Sequence, residues 1–343
     1  MSDRGLSDID KDSWLSSVAL KLIPFVLFLF FMVLYGLSVY WSQEPDLLTL
    51  NNQKAWRHAG QQKELIVGHS TVEAMIEVSE TLLHKNGGFI SNDMTPPGIF
   101  QDNMPAWEYG VLVQLRDMAR VLRNDFSRSQ SQSSEQLDLK EAEPRFNVRH
   151  TSWAFPEAES EYMKGIQYLK AYQNKLMDSS DHQTQFFARS DNLREWLKGV
   201  EKRLGNLSQR LSASVVENRE NTDLSGDSTA SQSTETSDQV RVKNPWMKID
   251  DTFFEARGSC WALINLLKGI EVDFQSVLEK KNATASLRQI IRELEETQET
   301  LWSPMILNGS GFGLVANHSL VMSSYIARAN AAIIDLRDLL ARG

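Results

Sequence analysis

Apolar residues are laid along this chain in two unlike ways. Between Leu22 and Tyr40 they form one unbroken run, LIPFVLFLFFMVLYGLSVY, with no charged side chain. Beyond it they recur at three- and four-residue steps, separated by polar stretches. As a helix the run spans about 28 Å at about 1.5 Å per residue, the thickness of a bilayer's hydrocarbon core. It is longer than the apolar core of a cleaved signal peptide. The residues after it, Trp41-Ser42-Gln43-Glu44-Pro45, offer no small-x-small cleavage site. Tyr35, Tyr40 and Trp41 gather at its far end, where amphipathic rings favour the headgroup region, and Pro24 sits in its first turn. The run reads as a retained transmembrane helix, residues 22–41. Arg4, Lys11 and Lys21 precede it, whereas the next basic residue after it is Lys54, with Glu44 and Asp46 nearer. That asymmetry predicts a cytoplasmic tail over 1–21 and a body on the opposite face, periplasmic in a bacterial inner membrane.

The rest of the pattern predicts an all-α body, a multi-helix bundle with long coiled-coil-like helices. Residues 42–60, with Pro45 and mixed polarity, read as a tether. A first helix is expected over Gln61–Lys85, stopped by Gly87-Gly88. Phe89–Pro105 carries three prolines and no helical period; its apolar residues predict an ordered loop. A second helix begins near Pro105, capped by Asp102 or Asn103, and presents Val111, Leu112, Leu115, Met118, Leu122 and Phe126. Residues 127–156 read as a break, polar and low in complexity at first, with Phe146, Trp153 and Phe155 as anchors later. A third helix covers 157–177. In the fourth, Leu193, Leu197, Val200, Leu204, Leu207 and Leu211 alternate steps of four and three, the 3.5-residue repeat of coiled-coil packing. Residues 217–243 lose all periodicity and read as a disordered linker. Three more helices are expected over Asp250–Lys280, Thr284–Trp302 and, after the turn 308–313, to the end. The chain thus divides into one lobe over 61–216 and a second over 244–343, with a single joint bundle as the alternative.

Composition narrows the function classes. A net charge of −9 supplies no basic excess to displace counterions from phosphates, so nucleic acid is not an expected partner. One cysteine, Cys260, permits neither an intramolecular disulfide nor a thiolate metal cluster. It lies in an apolar helical pattern and reads as a buried core thiol. His58, His69, His84, His150, His182 and His318 show no metal-ligand spacing, and neither a metal nor a cofactor is expected. His318 falls on an apolar seam and reads as a hydrogen-bonded core histidine.

Three groups of residues carry candidate chemistry. Asp93, Asp102 and Glu108 lie close in sequence to Trp107, and two carboxylates near an aromatic ring could hydrolyse a glycan by acid/base chemistry. The plainer account is that Asp102 caps the second helix. Arg116, Arg120 and Arg123 line one face of that helix and could hold an anionic glycan or lipid headgroup; nearby acids make ordinary ion pairs the plainer account. Pro96, Pro97 and Trp107 are the candidate partner-binding residues of the loop. The turn GSGFG lacks both the preceding strand and the spacing of a nucleotide fingerprint, so it reads as a helix-helix turn.

The blocks SNDMTPPGIFQDNMPAWEYGVLVQLRDMARVLRNDFSRSQSQS and ARSDNLREWLKGVEKRLGNLSQRLSAS resemble a family of proteobacterial membrane proteins catalogued as domain of unknown function 2333. The resemblance runs from the anchor to the C-terminus. It implies a single-span inner-membrane protein of gammaproteobacterial type, with no assigned reaction and no site residues. The expected function is a non-enzymatic interaction or scaffold role in the cell envelope, with protein partners or self-association. The alternatives are the glycan hydrolase and the anion- or lipid-binding protein just described.

Overall fold

The computed structural model describes residues 6–49, 56–59, 62–129, 135–178, 180–181, 183–215, 217–220, 239–303, 305–310 and 313–342. The first five residues of the expected tail and 221–238 of the expected disordered linker lie outside them, as do 130–134 and the Gly311-Phe312 tip of the turn.

Helix α1 (Leu6–Trp41) runs unbroken for 36 residues. The tail expected over 1–21 is therefore helical from Leu6 on; no glycine or proline lies between 6 and 23 to stop the helix extending. Its stretch Leu22–Trp41 has a mean hydropathy of 2.5 and is not buried inside the protein, as a membrane-crossing helix requires.

The body is α-helical, with two short ribbons. The first, β1 (Trp56–Ala59) and β2 (Gln62–Leu65), is antiparallel and pairs Trp56 with Leu65. The helix expected from Gln61 starts only at His69, as α2 (His69–His84). Gln62, Lys63 and Glu64 are polar in sequence and supply no apolar stripe at helical spacing. The second ribbon pairs β3 (Glu217–Glu220) with β4 (Gln239–Val242), so the two ends of the expected linker lie side by side.

Helix α3 (Asn103–Val121) closes in a π turn over Leu122–Phe126. The break expected over 127–156 contains a further helix, α4 (Leu137–Phe146), which buries Leu139, Ala142 and Phe146. It is too short for its period to stand out. Then come α5 (Ala158–Met177), α6 (Ser190–Ser212) and α7 (Ile249–Asp273). The helix expected over Asp250–Lys280 divides at Phe274, where α8 (Gln275–Lys280) begins. Helix α9 (Thr284–Glu295) ends sooner than expected, and α10 (His318–Ala341) completes the chain.

All six residues of the α6 seam are buried, each contributing about 1.5–3 kcal/mol relative to an exposed side chain. They face α10, where Ser208 and Ser323 exchange hydrogen bonds. Helix α7 forms the centre, buried on almost every side. It crosses α3 so closely that a Cβ on Gly110 would lie 2.0 Å from the Glu255 carbonyl oxygen, and one on Gly258 2.0 Å from that of Trp107. The Ser259 hydroxyl donates to the Gly110 carbonyl across this crossing, at 3.0 Å. Helices α3 and α6, from the first expected lobe, pack on α7 and α10, from the second, and share one core with them.

The helices alternate in direction, which gives the bundle two ends. At one, the start of α2 meets the end of α7 through Thr71 and Asp273, and Lys281 reaches the carbonyl of Arg342. At the other, the ends of α2, α6 and α9 meet the starts of α3, α5, α7 and α10. Phe89 packs on Tyr162, Arg257 bonds the Thr297 carbonyl, and Ser214 bonds Asn317. Helix α1 leaves from this second end.

Candidate functional site

The junction between α1 and the body is held at several points. Trp41 lies over Gly87, whose φ of +84° suits glycine and whose missing side chain leaves room for the ring; a Cβ there would sit 2.6 Å from it. Gln101 donates from Nε2 to the Ser38 carbonyl oxygen at 3.0 Å, within the last turn of α1. The chain then runs as a strap along α7. Glu44 receives Arg257 Nε at 3.0 and 2.8 Å and its Nη2 at 2.6 Å. The indole Nε1 of Trp261 donates to the Asp46 carbonyl at 3.1 Å, and Leu48 N donates to Asn265 Oδ1 at 3.1 Å. Arg257, Trp261 and Asn265 fall every fourth residue, so a single face of α7 grips the strap. The tether expected over 42–60 is thus docked in its first part. Arg257 also donates to the carbonyls of Thr297 and Glu299 and is 7% exposed.

The carboxylates of the 89–108 loop do different jobs. Glu108 is completely buried and pairs with Lys85 at 2.5 Å. It also accepts from the main-chain amides of Ile90 and Ser91, each at 2.8 Å, and from the Ser91 hydroxyl at 2.5 Å. Lys85 further donates to the Gly88 carbonyl. Burial pushes the Glu108 carboxyl above its usual range, against the pull of Lys85, Ser91 and Ile90. Asp102 is exposed and caps α3 through the amide of Asn103, at 2.9 Å. Asp93 is half-buried near Gly98; burial raises its pKa, against Lys85. The three do not form a solvent-facing pair, so the geometry gives the hydrolase reading no support. Trp107 is buried against Trp261 with ring centres 5.2 Å apart, and is core, not surface. Pro96 is exposed and Pro97 buried across a cis peptide bond.

The arginine row is similarly divided. Arg116 closes the end of α4 by donating to the carbonyls of Phe146 and Val148, at 2.7 and 2.8 Å. Arg123 pairs with Glu143 at 2.7 Å and Glu135 at 3.1 Å. Arg120 alone of the three is exposed. The row therefore does not present three guanidinium groups to one ligand.

A groove of about 520 Å³ opens beside the junction, lined by Phe253, Leu301, Trp302, Val321, Met322 and Tyr325 among others. His318 borders it and accepts from the amide of Leu307 at 3.2 Å. Cys260 is fully buried, and burial pushes its thiol up to about 12. Among the described residues no cluster of three or more His, Cys, Asp or Glu is placed to hold a metal.

Sequence reasoning missed three structural groups, and only the first gave no sign. Lys85 ends a helix in the manner of any surface lysine, and its partner Glu108 belongs to another element. Arg257 did carry a signal, since it lies one turn before Trp261 on an otherwise apolar face. So did Asp273, at the apolar end of α7. Its carboxylate accepts from the amides of Ser70 and Thr71, at 3.4 and 2.7 Å. Burial pushes it up to about 6, against the donors of Thr71, Gly68 and Ser70.

A family model described as "Uncharacterized protein conserved in bacteria (DUF2333)" matches residues 13–343. No curated protein and no solved structure matches the chain.

Proposed function

The chain belongs to this bacterial family, and from that premise we propose that it is a single-span membrane protein serving as an interaction or scaffold component of the cell envelope. The N-terminal end of α1 faces the cytoplasm and the body faces the periplasm. The observation that carries this reading is the junction: an apolar helix with no cover of its own continues into a strap clamped by Arg257, Trp261 and Asn265. A body held this way keeps a fixed attitude to the bilayer and presents the Phe253–Tyr325 groove at a fixed height. An exposed apolar groove near an anchor suits a protein partner better than a free solute.

The test has two parts. A reporter fused at the C-terminus gives the sidedness: activity only in the periplasm is expected, and activity only in the cytosol would overturn it. A photo-crosslinking residue at Val321, on the groove, should capture a defined envelope protein in intact cells. Turnover of a peptidoglycan or lipid substrate by the purified full chain, lost in Asp93→Ala, would instead favour an enzyme.

A further inference from the structure

Outside α1, most of the large apolar side chains that are strongly exposed gather toward one end of the body. Phe100 is 78% exposed, Phe155 102%, Trp246 79%, Met247 80% and Leu314 106%. All five lie on connections at the end of the bundle from which α1 leaves. Phe100 is next to Gln101, which bonds Ser38 inside the last turn of α1. The loop of Phe155 touches the same region through Asn92, whose Nδ2 donates to the Ser152 carbonyl at 3.3 Å. Trp246 and Met247 lie two to three residues before α7, and Leu314 four residues before α10, both of which start at this end. At the opposite end, around Gln275–Lys281, the strongly exposed large apolar side chains among the described residues are fewer, Leu137 at 70% and Val67 at 37%.

We propose that these loop tips form a second membrane contact, in which the body rests on the bilayer and inserts Phe100, Phe155, Trp246, Met247 and Leu314 into its interfacial region. This rests on α1 being the membrane span. The height argument is direct. Ser38 precedes Trp41 by three residues, about 4.5 Å along the helix axis. A loop bonded to Ser38 therefore stands at the level where the apolar run meets the headgroups. Aromatic and thioether side chains at that depth bury their apolar parts while their backbone stays wet. The charges at this end are mixed, with Asp102, Asp250, Asp251 and Glu255 beside Lys248, and give no basic excess for attraction to anionic lipid. The insertion is consequently apolar in origin, and anionic headgroups are not needed for it.

The test places a nitroxide on the full chain in phosphatidylcholine vesicles, at Phe100→Cys, Met247→Cys or Leu314→Cys; the buried Cys260 stays unlabelled. Phe31→Cys, mid-span, and Lys280→Cys, at the far end, are the references. The ratio of collisions with oxygen to collisions with an aqueous nickel chelate should exceed that at Lys280 several-fold for all three tips and lie below that at Phe31. Tips that match Lys280 while Phe31 reads as lipid-embedded would overturn the second contact and leave the anchor standing. An aqueous reading at Phe31 would remove the anchor itself, and the proposal with it. A ratio that rises only after phosphatidylglycerol is added would also overturn it, in favour of electrostatic attachment.

Discussion

Substituting Arg257→Met tests the clamp between α1 and the body. Methionine keeps the length and apolar stem of the side chain but removes every donor. Glu44 then loses its three contacts of 2.6–3.0 Å, and the carbonyls of Thr297 and Glu299 lose their partner. Removing one member of a buried ion pair costs about 3–5 kcal/mol, because the remaining charge is stranded. The side chains of Arg257 and Glu44 are only 8% and 16% exposed, so solvent relieves little, and the low end of that range, about 3 kcal/mol, is expected. If the strap opens locally, its open fraction rises about a hundredfold. Two readouts follow. Urea unfolding of the full chain in lipid nanodiscs should show the loss of stability, and proteolysis within 43–49 should accelerate by about the same factor as the open fraction. Adding Glu44→Gln removes the stranded charge and should restore about 1–2 kcal/mol, a coupling that two independent sites would not show. Strictly additive effects with no change in cleavage would refute the clamp.

Other parts of the fold make comparable commitments. Lys85→Met should cost about 3–5 kcal/mol by stranding Glu108, and Glu108→Gln in the same chain should recover part of it; equal stability of Lys85→Met and the native chain in urea would contradict the pairing. Gly258→Ala should cost about 1–3 kcal/mol or more, since the new methyl must displace the Trp107 backbone; an unchanged midpoint would mean that α3 and α7 do not cross at that distance. Asp273, at about 6, holds its proton more tightly in the folded chain than an ordinary aspartate at 3.8 does unfolded. Its contribution is therefore fully present below about pH 4 and is lost as pH rises through 6, a fall of about 3 kcal/mol. Asp273→Asn should flatten the stability profile between about pH 4 and 6; an unchanged slope there would contradict the assignment.

The sequence made α1, α3, α5, α6 and α7 legible because each buries a face wide enough to repeat over several turns. The seam from Leu193 to Leu211 is the clearest case, and all of it is buried. What escaped depends on residues far apart in the chain. Glu44 to Leu48 looks like a linker because Pro45 and two acids interrupt it, yet its partners are Arg257, Trp261 and Asn265. Helix α4 has too few turns to show a period, and Pro144 near its end points the other way. Asp93, Asp102 and Glu108 are neighbours in sequence, but only burial distinguishes a structural anion, a cap and a half-buried acid. The arginines divide for the same reason: spacing sets the face, whereas carbonyls from α4 and carboxylates beside it decide what each side chain does.

The separation of Glu44 from Arg257 has a consequence for how the protein is made. The two residues that join anchor to body are 213 positions apart. At about 5–20 residues per second, roughly 10–40 s pass between their emergence from the ribosome. During that interval α1 has already been made while the clamp that holds it to the body does not yet exist. The attitude of the body to α1 is therefore fixed late in synthesis, when α7, with only α8, α9 and α10 still to follow it among the helices, closes over a segment made among the first.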